Sequence, residues 1–193
     1  MKIRLLLAAL AASTLATFSQ AAVETYVIDP VHSSVGFSIR HFVSKVPGKF
    51  SKFNGTITVD RDNLEKSSVE ATIETAAINT DNQKRDEHLR SADFLDATAF
   101  PKITFKSKSW KKTGTDSFDV TGDLTIKDVT KEVVLKTKLL GFGEGMRGAQ
   151  LSGWEATTTI NKADFKVKDP AMLDAALGDD VAVTLNIEAA VKK

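Results

Sequence analysis

Phe118-Asp119-Val120-Thr121-Gly122-Asp123-Leu124-Thr125-Ile126-Lys127 carries the architecture of this chain in ten residues. Phe118, Val120, Leu124 and Ile126 fall on one face of an extended segment. Asp119, Thr121, Asp123, Thr125 and Lys127 fall on the other. Side chains of a strand point alternately to its two faces, so this period of two describes a strand with one face buried and one in water. The same rhythm recurs along the chain. Val35, Phe37 and Ile39 alternate with Ser34, Ser38 and Arg40, and Phe53, Ile57 and Val59 with Asn54, Thr56 and Thr58. Val69, Ala71 and Ile73 follow, then Ile103 and Phe105, then Val133, Leu135 and Leu139. Trp154, Ala156 and Ile160 precede a closing run of Val181, Val183, Leu185 and Ile187.

These runs predict about eight strands and an all-β protein. Turn signals separate them at Pro47-Gly48, Asp60 to Asn63, Thr113-Gly114, Lys127-Asp128 and the glycine-rich stretch Gly141 to Gly148. None is the continuous apolar run of a buried parallel strand, so neighbours are expected to be antiparallel. Eight amphipathic strands in one sheet tend to close and so remove their edges. The expectation is an eight-stranded antiparallel up-and-down barrel, with a two-sheet sandwich as the rival that alternation does not separate. One segment breaks the rhythm. Thr80 to Ser91 reads as a short helical insert with Thr80 as N-cap and Gln83 completing a capping box. Pro170 to Leu177 reads as a second short helix or structured loop, stopped by Gly178.

The first 21 residues form a separate unit. Lys2 and Arg4 precede an apolar run from Leu5 to Phe18, and Ser19-Gln20-Ala21 offers small residues where a signal peptidase reads. This is the pattern of a Sec-type signal peptide, residues 1–21, cleaved after Ala21. The run is shorter than the about 20 residues a membrane span needs, and with no cysteine it is not a lipoprotein leader. The mature chain, 22–193, is expected as one periplasmic domain.

Without the leader, 24 basic residues stand against 25 acidic ones. Such balance argues against a nucleic-acid partner. The chain has no cysteine, so stability must come from burial and sheet pairing, and thiolate chemistry is excluded. The three histidines, His32, His41 and His88, fit no standard metal spacing, and no metal ligands are expected. Gly143-Glu144-Gly145-Met146-Arg147-Gly148 spells a dinucleotide fingerprint, but a strand pattern follows where that motif requires a helix. It reads as a hairpin connection. Asp60 to Asn63 lacks the glycine and distant glutamate of a calcium loop, and no GxSxG elbow occurs.

The positive signal is aromatic: 11 Phe, 2 Trp and 1 Tyr. Aromatics dominate ordinary cores, yet an eight-stranded barrel sits at the size where the interior is filled or holds one small ligand.

Several motifs together carry a family likeness. They are Tyr26-Val27-Ile28-Asp29-Pro30 with His32-Ser33, Val35-x-Phe37-x-x-x-His41, Gly48-Lys49-Phe50-x-x-Phe53-x-Gly55 and Thr80 with Arg85-Asp86-x-His88-Leu89. Phe94, Phe100-Pro101-x-Ile103-x-Phe105, Gly122-x-Leu124-Thr125-Ile126 and Asn161-Lys162-Ala163-Asp164-Phe165 continue it. In order and spacing the chain resembles the YceI-like family. Phe165-Lys166-Val167 departs from the Phe-Gly of many relatives. The resemblance implies a lipocalin-like barrel whose pore holds a polyisoprenoid, either an isoprenoid quinone or a prenylphenol precursor, with no cofactor besides that lipid. It also implies a cytochrome b561-type membrane partner, a stress-response setting and, for such barrels, a homodimer.

On this reading the pore-lining residues are Phe37, Ile39, Phe53, Ile57, Ile73, Phe94, Ile103, Phe105, Leu124, Ile126 and Trp154. Arg85, Asp86 and His88 stand near the ligand head group, or else pin the helix to the barrel rim. No catalytic residue is expected. Two alternatives stay open: an enzyme acting on a lipid or quinone in the same pocket, with His88 and Asp86 or His32 as acid–base pair, and a solid-core interaction protein.

Overall fold

The computed structural model describes residues 23–169 and 176–192. The signal peptide and nearly all of the Pro170–Leu177 segment lie outside the described residues.

Among the described residues there are eleven strands: β1 (Val23–Ile28), β2 (Ser34–His41), β3 (Ser44–Phe50), β4 (Phe53–Asp60), β5 (Ser68–Glu74), β6 (Ile78–Asn79), β7 (Lys102–Lys112), β8 (Ser117–Ile126), β9 (Val129–Glu144), β10 (Gln150–Asn161) and β11 (Leu177–Val191). All pairings are antiparallel. They make eight staves, because the first three are broken. β1 and β2 both lie along β11, β4 and β3 continue one another, and β5 runs on into β6. The β1–β11 pairing, with Tyr26 opposite Val191, closes the ring. The barrel is thus the eight-stranded up-and-down form, and the sandwich is ruled out.

The break between β1 and β2 has a visible cause. Pro30 has no N–H to give a ladder. There the chain is tied to β11 instead, Asp29 N–H donating to Glu188 O at 2.9 Å and Glu188 N–H to Ser33 Oγ at 3.0 Å. The turn between β9 and β10 includes Arg147 at φ 59° and Gly148 at φ 76°. A strand follows it, as a hairpin connection requires.

The helical insert is shorter than its sequence suggests. Helix α1 spans Gln83–Arg90, and its N-cap is Asn82, whose side chain accepts from Arg85 N–H at 3.1 Å. Thr80 is therefore not the cap. It is engaged by Asp86, as described below. Gly178 lies within β11.

The interior has two halves. At the end holding the β7–β8 and β9–β10 turns the lumen is plugged. Tyr26, Val59, Trp110, Phe118, Val120 and Trp154 pack there, each at most 5% exposed. Trp110 meets Trp154 edge to face at 5.4 Å, and Phe142 meets Trp154 likewise at 6.1 Å. At the end crowned by α1, a second cluster of Ile78, Phe94, Leu95, Ile103, Ile126 and Phe165 lines the wall rather than filling the middle.

Candidate functional site: the barrel cavity

A cavity of about 530 Å³ occupies the α1 half of the barrel. That is within the ordinary range for small-molecule sites. The alternation of each stave supplies its wall. Phe37 and Ile39 come from β2, Phe53 and Ile57 from β4, and Ile73 from β5. Ile103 and Phe105 come from β7, and Leu124 and Ile126 from β8. Phe94, after α1, covers the rim together with Arg85 and His88.

Two of the residues expected at the pore lie elsewhere. Trp154 belongs to the plug, where its indole N–H donates to Ser152 Oγ at 3.0 Å. Its place on an inward face was legible, but its height along the barrel axis was not. Asp86 is buried behind the wall. Its Oδ1 accepts from Thr80 N–H at 2.8 Å and from Thr80 Oγ1 at 2.6 Å. Arg85 donates from Nε to Thr80 Oγ1 at 2.7 Å and from Nη2 to Thr80 O at 2.8 Å. Arg85 and Asp86 therefore pin α1 to the end of β6, while Arg85 also borders the cavity. His88 bonds Asp93 at 3.2 Å and meets Phe94 edge-on at 4.9 Å.

The wall includes residues not singled out from sequence. Phe50, Leu135, Ile160 and the β11 set Val181, Val183, Leu185 and Ile187 all face the cavity. The β11 set was visible in the alternation. Room for the large rings comes from glycine. A Cβ on Gly48 would sit 2.2 Å from Phe37 Cζ, and one on Gly122 would sit 2.5 Å from Phe105 Cζ.

Lys162 and Asp169 form a buried ion pair in the wall, and neither was assigned a site role from sequence. The Lys162 side chain is 8% exposed and Asp169 5%. Lys162 Nζ donates to Asp169 Oδ2 at 2.9 Å, Asp179 Oδ1 at 3.0 Å and Gly178 O at 2.7 Å. All three ammonium hydrogens are thereby used. Burial pushes this ammonium down, but its bonds to Asp169 and Asp179 outweigh burial and hold it above the ordinary lysine value. Asp169 Oδ1 is buried with no partner among the described residues.

Of the other histidines, His41 borders the cavity. His32 lies outside it, with Nδ1 2.7 Å from Asp29 Oδ2 and 3.9 Å from Glu188 Oε1. The His32 bond, then the Val31 N–H, hold the Asp29 carboxyl below its usual range, and the Asp29 bond holds His32 above its own. His88 is joined to Asp93, and Asp86 to Thr80, so neither acid–base pair considered from sequence is formed.

The family model for the YceI-like domain matches residues 26–189, which is nearly the whole described barrel. The chain belongs to the YceI-like family. It is 42% identical over 160 residues to Protein YceI of Shigella flexneri, covering 81% of this chain and 83% of that protein. Among solved structures, BcnA of Burkholderia cenocepacia superposes with TM-score 0.77 at 22% identity, over 84% of this chain and 99% of BcnA. A polyisoprenoid binding domain from Saccharophagus degradans, implicated in plant cell wall breakdown, superposes with TM-score 0.68 at 12% identity. It covers 89% of this chain and all of that one (100%). At those identities the two structures speak for the YceI-like fold alone.

Proposed function

We propose that this YceI-like chain is a periplasmic carrier that holds a polyisoprenoid lipid, an isoprenoid quinone or a prenylphenol precursor, in its barrel cavity. The observation that carries the reading is the half-hollow barrel: a plugged end, and a cavity walled by Phe37, Ile57, Ile73, Phe105 and Leu124. A largely apolar wall of this kind favours a hydrocarbon tail. At about 25 cal/mol per Å² a long prenyl tail gains roughly 10 kcal/mol before ordering costs are subtracted. The polyisoprenoid binding domain of Saccharophagus degradans, which shares the fold, supports the same ligand class. Binding rather than catalysis fits the rim chemistry, since Arg85 and Asp86 are engaged in holding α1. A cytochrome b561-type membrane protein as partner and a homodimer as the unit belong to the same reading.

The test is extraction of protein from its native source into organic solvent, followed by mass spectrometry. One long-chain isoprenoid in the extract is expected; an empty extract refutes the carrier reading. Export is tested by N-terminal sequencing, with Ala22 expected as the first mature residue.

A further inference from the structure

The β2–β3 hairpin breaks the rules of its turn. Its two-residue loop is Phe42-Val43, with His41 opposite Ser44. Loops of this length ordinarily use Gly, Asn or Asp, because the backbone must enter positive φ. Here Phe42 takes φ 48°, a conformation that costs a bulky residue energy and that persists only when its surroundings impose it. The surroundings do impose it. Phe42 N–H donates to Ala176 O at 2.7 Å, and the Arg40 guanidinium donates to Phe42 O at 3.2 Å and Leu177 O at 3.3 Å. The strain displays two apolar side chains in water: Phe42 is 58% exposed and Val43 102%.

The tip adjoins the cavity and is flanked by positive charge. His41, which borders the cavity, meets the Phe42 ring edge-on at 4.8 Å. Between Asp29 and Asp60 the chain has no acidic residue, but it has Arg40, Lys45, Lys49 and Lys52. Lys52 reaches Glu74 at 3.6 Å, whereas Arg40, Lys45 and Lys49 are exposed and form no ion pair among the described residues. At the start of β11, Asp179 is bound to Lys162, and exposed Asp180 stands beside Arg40, one acid against the three free cations among the described residues. In a nearly neutral protein this is a local excess of cations around an apolar point.

We infer that the Phe42-Val43 tip docks the cavity end of the barrel on a bilayer with anionic headgroups. The two side chains would enter the interface, and Arg40, Lys45 and Lys49 would face the headgroup phosphates. This inference does not depend on which molecule fills the cavity.

Co-sedimentation of the mature chain with lipid vesicles tests it. Wild type is expected to pellet with phosphatidylcholine–phosphatidylglycerol vesicles and not with phosphatidylcholine alone, with binding weakened by salt. Phe42→Gly and Val43→Asp should each weaken binding about tenfold or more. Glycine is at ease at this φ, so Phe42→Gly should keep or raise Tm while losing vesicles. Lys45→Glu with Lys49→Glu should abolish the preference for anionic lipid. The inference is overturned if wild type stays in solution with both vesicles, if it binds both equally, or if Phe42→Gly and Val43→Asp bind as wild type does.

Discussion

Replacing Lys162 by Met probes a buried charge cluster in the cavity wall. The ammonium is 8% exposed and donates to Asp169, Asp179 and Gly178. Asp179, 68% exposed, returns to water when the lysine is removed. Asp169, 5% exposed, does not, and its Oδ1 already has no partner among the described residues. The variant therefore leaves a buried carboxylate wholly uncompensated, at a cost of about 3–5 kcal/mol. For a domain of this size that is a fall in Tm of about 6–20 °C. Lys162→Met/Asp169→Leu removes both charges and should regain most of the loss, because a buried pair replaced by apolar groups is often nearly neutral. The lysine pKa is raised by folding. Its contribution is thus complete below the unfolded lysine value of about 10.4 and lost as pH rises through the higher folded value. The gap between wild type and Lys162→Met should stay level from about pH 6 to 9 and narrow above about pH 10.5. Urea unfolding of the three proteins measures this. A cost below about 1 kcal/mol for the single variant, or a double variant no more stable than the single, refutes the reasoning.

Val183→Trp places an indole into the cavity wall opposite Phe37. It should abolish lipid recovered by extraction at a stability cost of about 1–3 kcal/mol, measured on the same preparation. Trp154→Ala should do the converse, costing about 3–5 kcal/mol in urea unfolding because it empties the plug, while the folded fraction still carries lipid. His32 should titrate in NMR above its ordinary value of about 6.5, and Asp29→Asn should bring it down. The sign of the linked stability follows: it is present below the unfolded histidine value and lost as pH rises through the raised one.

Alternation carried most of this architecture. Phe118 to Ile126, and its counterparts in β2, β4, β5, β7 and β11, encode which side chains face inward, and with them most of the cavity wall. The stave count survived three strands that the pattern does not announce. β1, β3 and β6 only prolong staves already marked by β2, β4 and β5. Alternation is silent on height along the barrel axis. Trp154 and Phe105 have the same inward phase, yet one stands in the plug and the other in the cavity wall. That difference arises from stagger between strands and from the aromatic stack of Trp110, Phe142 and Trp154. Side-chain hydrogen bonds were equally out of reach. Thr80 reads as a cap by spacing, but the Asp86 carboxylate claims its hydroxyl and leaves Asn82 to cap α1. Lys162 and Asp169 meet through a side-chain contact of 2.9 Å that strand alternation does not encode.

The barrel is solid at one end and hollow at the other, and a crystal structure of protein purified from its native source is the decisive measurement. Continuous tubular electron density is expected from the rim near His88 to the floor at Phe53 and Ile57, with the rings of Trp110, Phe118 and Trp154 filling the far end. Phe37 and Phe105 turned across the lumen, with no density between them, would contradict it.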